Sequence, residues 1–263
     1  MRLIDSHCHV NADRFGDDAA TVLEAARTAG VERLLIPGWN VASSAQALAI
    51  TTELPWVDAA VGVHPHDAAK VDDAGWQLIE GWAREARVVA IGETGLDYDR
   101  MFSPIPDQLA NLRRNLLLAA ELRRPAILHC RSAAGRRDAQ DALLAELTEM
   151  GPARPAIVIH SFSGPVDYAR AMLHLDAAIS FSGLVFRRGE EASAEVAAII
   201  PLDRLLVETD SPFLAPPGAP RSRNEPAFVR ITAEWLAERR GTTMEALGDA
   251  LVHAYDRTFR PAR

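Results

Sequence analysis

Short apolar runs recur along the chain: Leu3–Ile4, Arg33–Ile36, Val57–Val63, Val88–Ile91, Ala126–Leu128, Ala156–Ile159, Ala178–Phe181 and Leu205–Val207. Each has the length and β-branched content of a strand. Between them lie Ala/Leu/Glu/Arg stretches with helical spacing, among them Ala19–Ala29, Gln108–Arg123, Asp138–Met150 and Glu190–Ile200. Strands alternating with helices predict an α/β fold with a parallel sheet of βαβ units. Eight such units in 263 residues match a closed (β/α)8 TIM barrel. An open doubly wound sheet is the alternative, but no Gly-rich dinucleotide fingerprint follows any strand. Two further helices, Pro226–Arg240 and Thr243–Thr258, close the barrel. The Pro/Gly-rich Pro212–Pro226 segment reads as a long loop at the site rather than a linker, so residues 1–263 read as a single domain.

Composition narrows the function more than the fold. Apolar residues at 48% and charged residues at 24% exclude disorder, collagen and coiled coil. Thirty-six acidic against twenty-eight basic side chains leave a net charge of −8, which argues against a general nucleic-acid coat. Two cysteines, Cys8 and Cys130, supply no disulfide framework. Met1 leads directly into a strand rather than into a charged and then apolar leader, and no apolar run reaches the roughly 18 residues of a membrane span. These features predict a cytoplasmic protein.

The informative residues are polar ones at strand ends. His7 and His9 lie two apart, so both side chains face one side of an extended chain while Cys8 faces the other. Asp5 shares their face and is a candidate to orient a ligating imidazole. Glu93 follows Val88–Gly92, His129 follows Ala126–Leu128, His160 follows Ala156–Ile159, and Asp210 follows Leu205–Thr209. Any one of these alone is more often a hydrogen-bonded structural group or a helix cap. In a barrel, however, all six converge on the mouth where active sites form. Burying four imidazoles and two carboxylates together without a cation would be costly. The set suits two divalent ions such as zinc or manganese, with Glu93 placed to bridge them and Asp210 to hold one and accept the proton of an attacking water. That pattern predicts a hydrolase with Glu93 and Asp210 as its catalytic carboxylates.

The blocks Asp5-Ser6-His7-Cys8-His9, Gly62-Val63-His64-Pro65-His66, Ala90-Ile91-Gly92-Glu93-Thr94-Gly95-Leu96-Asp97-Tyr98, Leu128-His129-Cys130-Arg131, His160-Ser161-Phe162-Ser163-Gly164 and Glu208-Thr209-Asp210-Ser211-Pro212-Phe213-Leu214 resemble the signature blocks of the TatD family of metal-dependent hydrolases. The resemblance implies a TIM barrel and a two-metal centre. It assigns His7, His9 and Asp210 to one ion, His129 and His160 to the other, and Glu93 to the bridge. It also implies DNase activity supported by Mg²⁺ or Mn²⁺, as a 3′→5′ exonuclease or an endonuclease, with His64 facing the substrate phosphate and DNA, single-stranded or at duplex ends, as partner. Arg131, Arg187, Arg188, Arg221 and Arg223 follow strand ends and are candidates for a phosphate-binding rim, with Arg131 and Arg223 the principal ones. Tyr98, Phe102, Phe162, Phe186 and Phe213 are the aromatics available for base stacking. Hydrolysis of a small ester, an amide or an aminoacyl-tRNA by the same site, or a non-catalytic metal-binding barrel, are the alternatives. A carbamylated-lysine amidohydrolase is disfavoured because the only lysine, Lys70, lies outside every strand.

Overall fold

The computed structural model describes residues 1–52, 54–220 and 222–260. Eight strands run in chain order around one sheet: β1 Leu3–Asp5, β2 Val31–Pro37, β3 Val57–Val61, β4 Val88–Asp97, β5 Ala126–Arg131, β6 Ile157–Ile159, β7 Ala178–Phe181 and β8 Leu205–Val207. Every neighbouring pair from β1–β2 to β7–β8 is parallel. The alternating helices are α1 Ala19–Thr28, α2 Val41–Thr51, α3 Asp73–Trp82, α4 Ile105–Leu122, α5 Asp138–Glu149, α6 Val166–His174 and α7 Ala192–Ile199, followed by α8 Val229–Arg240 and α9 Met244–Phe259. This is the expected TIM barrel, nearly closed. The strands are buried runs such as Leu34-Leu35-Ile36 and Ala126-Ile127-Leu128, and they join the helix faces in one core. Burial of both strand faces is what covering helices impose on a parallel sheet. Among the described residues, no helix is long and apolar enough to cross a membrane.

Local chemistry explains where elements stop. Asn40 caps α2 through Ser43 in a reciprocal capping box, and Thr243 caps α9 by accepting the Ala246 N–H. β3 ends at Val61 rather than Val63 because helix α4 takes over its pairing. The Val63 N–H donates to Asn115 Oδ1 at 3.3 Å, and the Val63 carbonyl accepts from Asn111 Nδ2 at 2.7 Å. α9 packs against β1 and β8 at the base of the barrel. There the Tyr255 hydroxyl and the Arg260 guanidinium both donate to the buried Asp58 carboxylate, at 2.9 and 2.7 Å.

Two departures from a regular barrel position the site. β1 leaves its ladder at Asp5, earlier than alternation through His9 suggests, because its backbone then bridges the barrel seam. The Ser6 N–H bonds Val207 of β8, the Cys8 N–H bonds Leu35 of β2, and the His9 N–H bonds Ser211. β4 runs six residues beyond the expected Ile91, through a bulge. Ile91 pairs with Ala126, and the next partners are Thr94 and Leu128, so three steps on β4 match two on β5. The Glu93 N–H turns away to the Gly38 carbonyl at 2.7 Å. Gly92 and Gly95 flank the bulge with φ of 135° and 134°. Any Cβ at Gly95 would collide with the His129 carbonyl. Only glycine serves there.

Candidate active site

At the C-terminal mouth of the barrel the Glu93 carboxylate is 3% exposed and surrounded by five histidines. Its two oxygens face different rings. Oε2 lies 3.2 Å from His7 Nε2 and 3.4 Å from His9 Nε2. Oε1 lies 3.2 Å from His129 Nδ1, 3.0 Å from His160 Nε2 and 3.2 Å from His64 Nε2. Asp210 enters from the β8 side, with Oδ1 3.4 Å from His9 Nε2 and 3.9 Å from His7 Nε2. Its φ of 53° is a left-handed conformation that aspartate tolerates better than bulkier residues. Its N–H bonds the His7 carbonyl at 2.9 Å. All six residues singled out at strand ends therefore meet, with His64 beside them.

The donor set fits divalent cations. The Nε2 atoms of His7 and His9 face each other at 3.1 Å, and the Nδ1 atoms of both rings are buried without a hydrogen-bond partner. Nitrogen and oxygen ligands about 2.1 Å from one ion lie about 3.4 Å apart in tetrahedral geometry, and the distances of His7 and His9 Nε2 from each other, from Glu93 Oε2 and from Asp210 Oδ1 run from 3.1 to 3.9 Å. Triads of ligand atoms close enough to share an ion occur as His7/His9/Glu93, His7/His160/Asp210 and His64/Glu93/His129.

Hydrogen bonds divide the rings into two kinds. His160 Nδ1 meets Glu208 Oε1 at 3.0 Å, and His129 Nε2 meets Asp97 Oδ2 at 3.3 Å. A carboxylate that accepts from the far nitrogen's N–H keeps the ring proton there and leaves the opposite lone pair facing the centre, the usual support of a ligating histidine. His64 is wired the other way. Its Nδ1 accepts the His66 backbone N–H at 3.0 Å, so the network assigns the ring proton to Nε2, which donates toward Glu93.

Electrostatics follow this wiring. Burial opposes charge on Glu93, yet His64, His160 and His7 outweigh it and hold the carboxyl well below the usual carboxylate range. Burial likewise disfavours charge on Asp210, and the hydrogen bond from His9 and the nearby rings reverse this, lowering its pKa. Burial drives His64 down to about 4, so the ring is neutral. For His160, burial is overcome by Glu93 and Glu208, and its pKa rises well above the ordinary value.

Residues 4–260 match the family model described as TatD related DNase. The chain belongs to this TatD family. A TatD relative from Erwinia billingiae, described as a 3′-5′ ssDNA/RNA exonuclease, is 38% identical over 255 residues, 94% of each chain. A Bacillus subtilis relative described as the uncharacterized metal-dependent hydrolase YabD is 34% identical over 258 residues, 98% of this chain and 99% of its own. The crystal structure of YJJV, a TatD homolog from Escherichia coli, matches with a TM-score of 0.86 and 30% identity, covering 98% of this chain and 97% of that one.

Not every TatD-site expectation has the expected geometry. Asp5 does not touch the His7 ring. Its oxygens accept the Thr209 N–H at 2.9 Å, the Thr209 hydroxyl at 2.6 Å and the His7 backbone N–H at 3.3 Å, so it ties β8 to β1. Arg131 is exposed but pairs with Asp99 at 2.8 Å. Arg223 pairs with Asp18 and Glu225, each at 2.9 Å, with its guanidinium over the Phe15 ring. Arg221 lies outside the described residues. Arg187 and Arg188 are exposed and form no ion pair among the described residues, and the same holds for Arg100 beyond β4. Two further carboxylates, Asp97 and Glu208, reach the imidazole cluster without being singled out by the sequence analysis, although their spacing signals them. Glu208 precedes Asp210 by two. Asp97 sits four beyond Glu93, where its Oδ2 also meets His66 Nε2 at 2.7 Å.

Proposed function

We propose that this chain is a divalent-metal-dependent deoxyribonuclease that removes nucleotides from the 3′ end of single-stranded DNA. The observation that carries the reading is Glu93, whose two oxygens serve two separate groups of imidazole nitrogens. His7, His9 and Asp210 with Glu93 Oε2 would hold one ion, and His129 and His160 with Glu93 Oε1 the second, drawn from magnesium, manganese or zinc. Bound there, such ions supply Lewis-acid polarisation of a phosphate and make water acidic enough to attack at neutral pH.

The chain's own residues do the rest. Asp210, kept ionised by the rings beside it, accepts the proton of the attacking water. His64, neutral with its proton on Nε2, donates to a non-bridging phosphate oxygen; a ring wired to donate suits this role better than ligation. Arg187, Arg188 and Arg100, exposed and without carboxylate partners among the described residues, and Arg131 through the donors Asp99 leaves free, attract phosphates to the mouth of an otherwise acidic protein. Arg223, held by two carboxylates, ties the β8 loop to the start of α1.

Metal-stripped protein is expected to release no label from a 3′-labelled single strand, and Mg²⁺ or Mn²⁺ is expected to restore release. A 5′-labelled strand should shorten stepwise. Absence of release with either metal, from protein shown to bind two ions, would move the assignment to ester or amide substrates. The roles of the supporting carboxylates are tested separately. Glu208→Gln and Asp97→Asn are each expected to weaken metal affinity about 10–100-fold, read by competition with a chromogenic chelator. Unchanged affinity in both would reduce them to loop anchors.

A further inference from the structure

Aromatic side chains on this barrel are nearly all covered. Of those named above as available to stack on bases, Phe162 is buried in the core and packs on Tyr168, Tyr98 is partly buried against the core, and Phe186 rests against Trp235. Two remain open, Phe102 at 60% exposure and Phe213 at 49%, the only large aromatics so exposed among the described residues. Both stand at the mouth, on opposite flanks of the donor cluster.

Phe213 follows Asp210 in the loop after β8, and its ring meets His9 edge-on, with centroids 6.0 Å apart. Its backbone is fixed at both ends. The N–H donates to the Asp210 carbonyl at 2.9 Å, and the carbonyl accepts from the buried Asn224 side chain at 2.7 Å. Phe102 lies in the turn after β4, and its ring meets His66 edge-on at 4.7 Å. His66 in turn holds Asp97, the carboxylate behind His129. One ring thus borders the His7/His9/Asp210 group directly, and the other stands on the His129 side, linked to it through His66 and Asp97. Each ring stands nearly perpendicular to a histidine ring and keeps about half or more of its surface in solvent.

We infer that Phe213 and Phe102 are stacking platforms for the two bases on either side of the phosphodiester that is cut. This deepens the proposed function and rests on it. A flat π-face accepts any base, so the pair would select unpaired strands without selecting sequence: a base already stacked in a duplex has no free face to offer. At Phe213 the anchored backbone leaves little ordering for binding to impose. The platforms also explain how an acidic protein grips a strand with few free arginines.

The test compares base-bearing strands with strands carrying an abasic residue at the 3′-terminal or the penultimate position. In the wild type, each abasic site is expected to lower kcat/KM about tenfold to a hundredfold. Phe213→Leu and Phe102→Leu should each show a similar loss on the intact strand. Each variant should then show no further loss when the base over its own position is missing, while remaining sensitive to the other. Phe→Tyr should restore both. A variant that loses the same factor on intact and abasic strands, or loses nothing, overturns the inference.

A binding measurement separates this failure from failure of the nuclease reading. With Asp210→Asn protein and Mg²⁺, 2-aminopurine at either position of a short oligothymidylate should be quenched on binding, and the matching Phe→Leu change should relieve the quenching. Quenching without hydrolysis by the wild type would leave the platforms standing and remove the nuclease assignment. Hydrolysis without quenching would do the reverse.

Discussion

Asp210→Asn is expected to reduce hydrolysis of single-stranded DNA by about a thousandfold or more while leaving the barrel folded. The carboxylate has two tasks in the proposed site, as a ligand beside His7 and His9 and as acceptor of the water's proton, and a neutral amide does neither well. Asparagine is the choice that isolates chemistry. It is isosteric and among the few residues that tolerate the left-handed backbone at this position, and the bond from its N–H to the His7 carbonyl is retained. Single-turnover cleavage, compared with the circular-dichroism melting curve of the same sample, separates the two effects. Turnover within tenfold of the wild type would remove Asp210 from the mechanism.

Glu93→Ala is expected to lower bound metal to one ion or none and to abolish activity. Both groups of nitrogen donors face this one side chain, and only the His7/His9 group has a second carboxylate, Asp210, beside it. Elemental analysis after dialysis against excess Mn²⁺ gives the count directly. Two ions retained would end the bridging assignment, whatever the effect on rate. One ion retained with His129 and His160 still engaged would locate the remaining site on the Asp97 and Glu208 side.

Strand-end polarity carried most of the centre. Histidines and carboxylates terminating otherwise apolar runs are conspicuous, and a barrel leaves them one place to meet, so His7, His9, Glu93, His129, His160 and Asp210 are legible in the sequence itself. What stayed hidden depended on partners distant in the chain or on backbone detail. The β4 bulge is one case. Gly92-Glu93-Thr94-Gly95 reads as the end of a strand because two glycines interrupt the apolar run, and the sheet continues only because β5 supplies the pairing. Asp97 was lost with that extension. The arginines are another case: Arg223 follows a strand end like a phosphate ligand, but Asp18, which neutralises it, is 205 positions away. Asp5 has the right spacing to orient His7, yet Thr209 across the seam competes successfully for both its oxygens.

That seam has a consequence for when the protein becomes active. β1 and β8 are joined by bonds such as Asp5 to Thr209, between residues 204 positions apart, and His7 and His9 face Asp210 across the same line. Contacts this distant in sequence form late, because the loop they close must be ordered first. A chain still emerging from the ribosome, with β1 to β7 in place, would carry five imidazoles and Glu93 but lack Asp210. On the proposed reading such a chain cannot cut nucleic acid. On that reading the last strand to arrive is also the one that completes the centre.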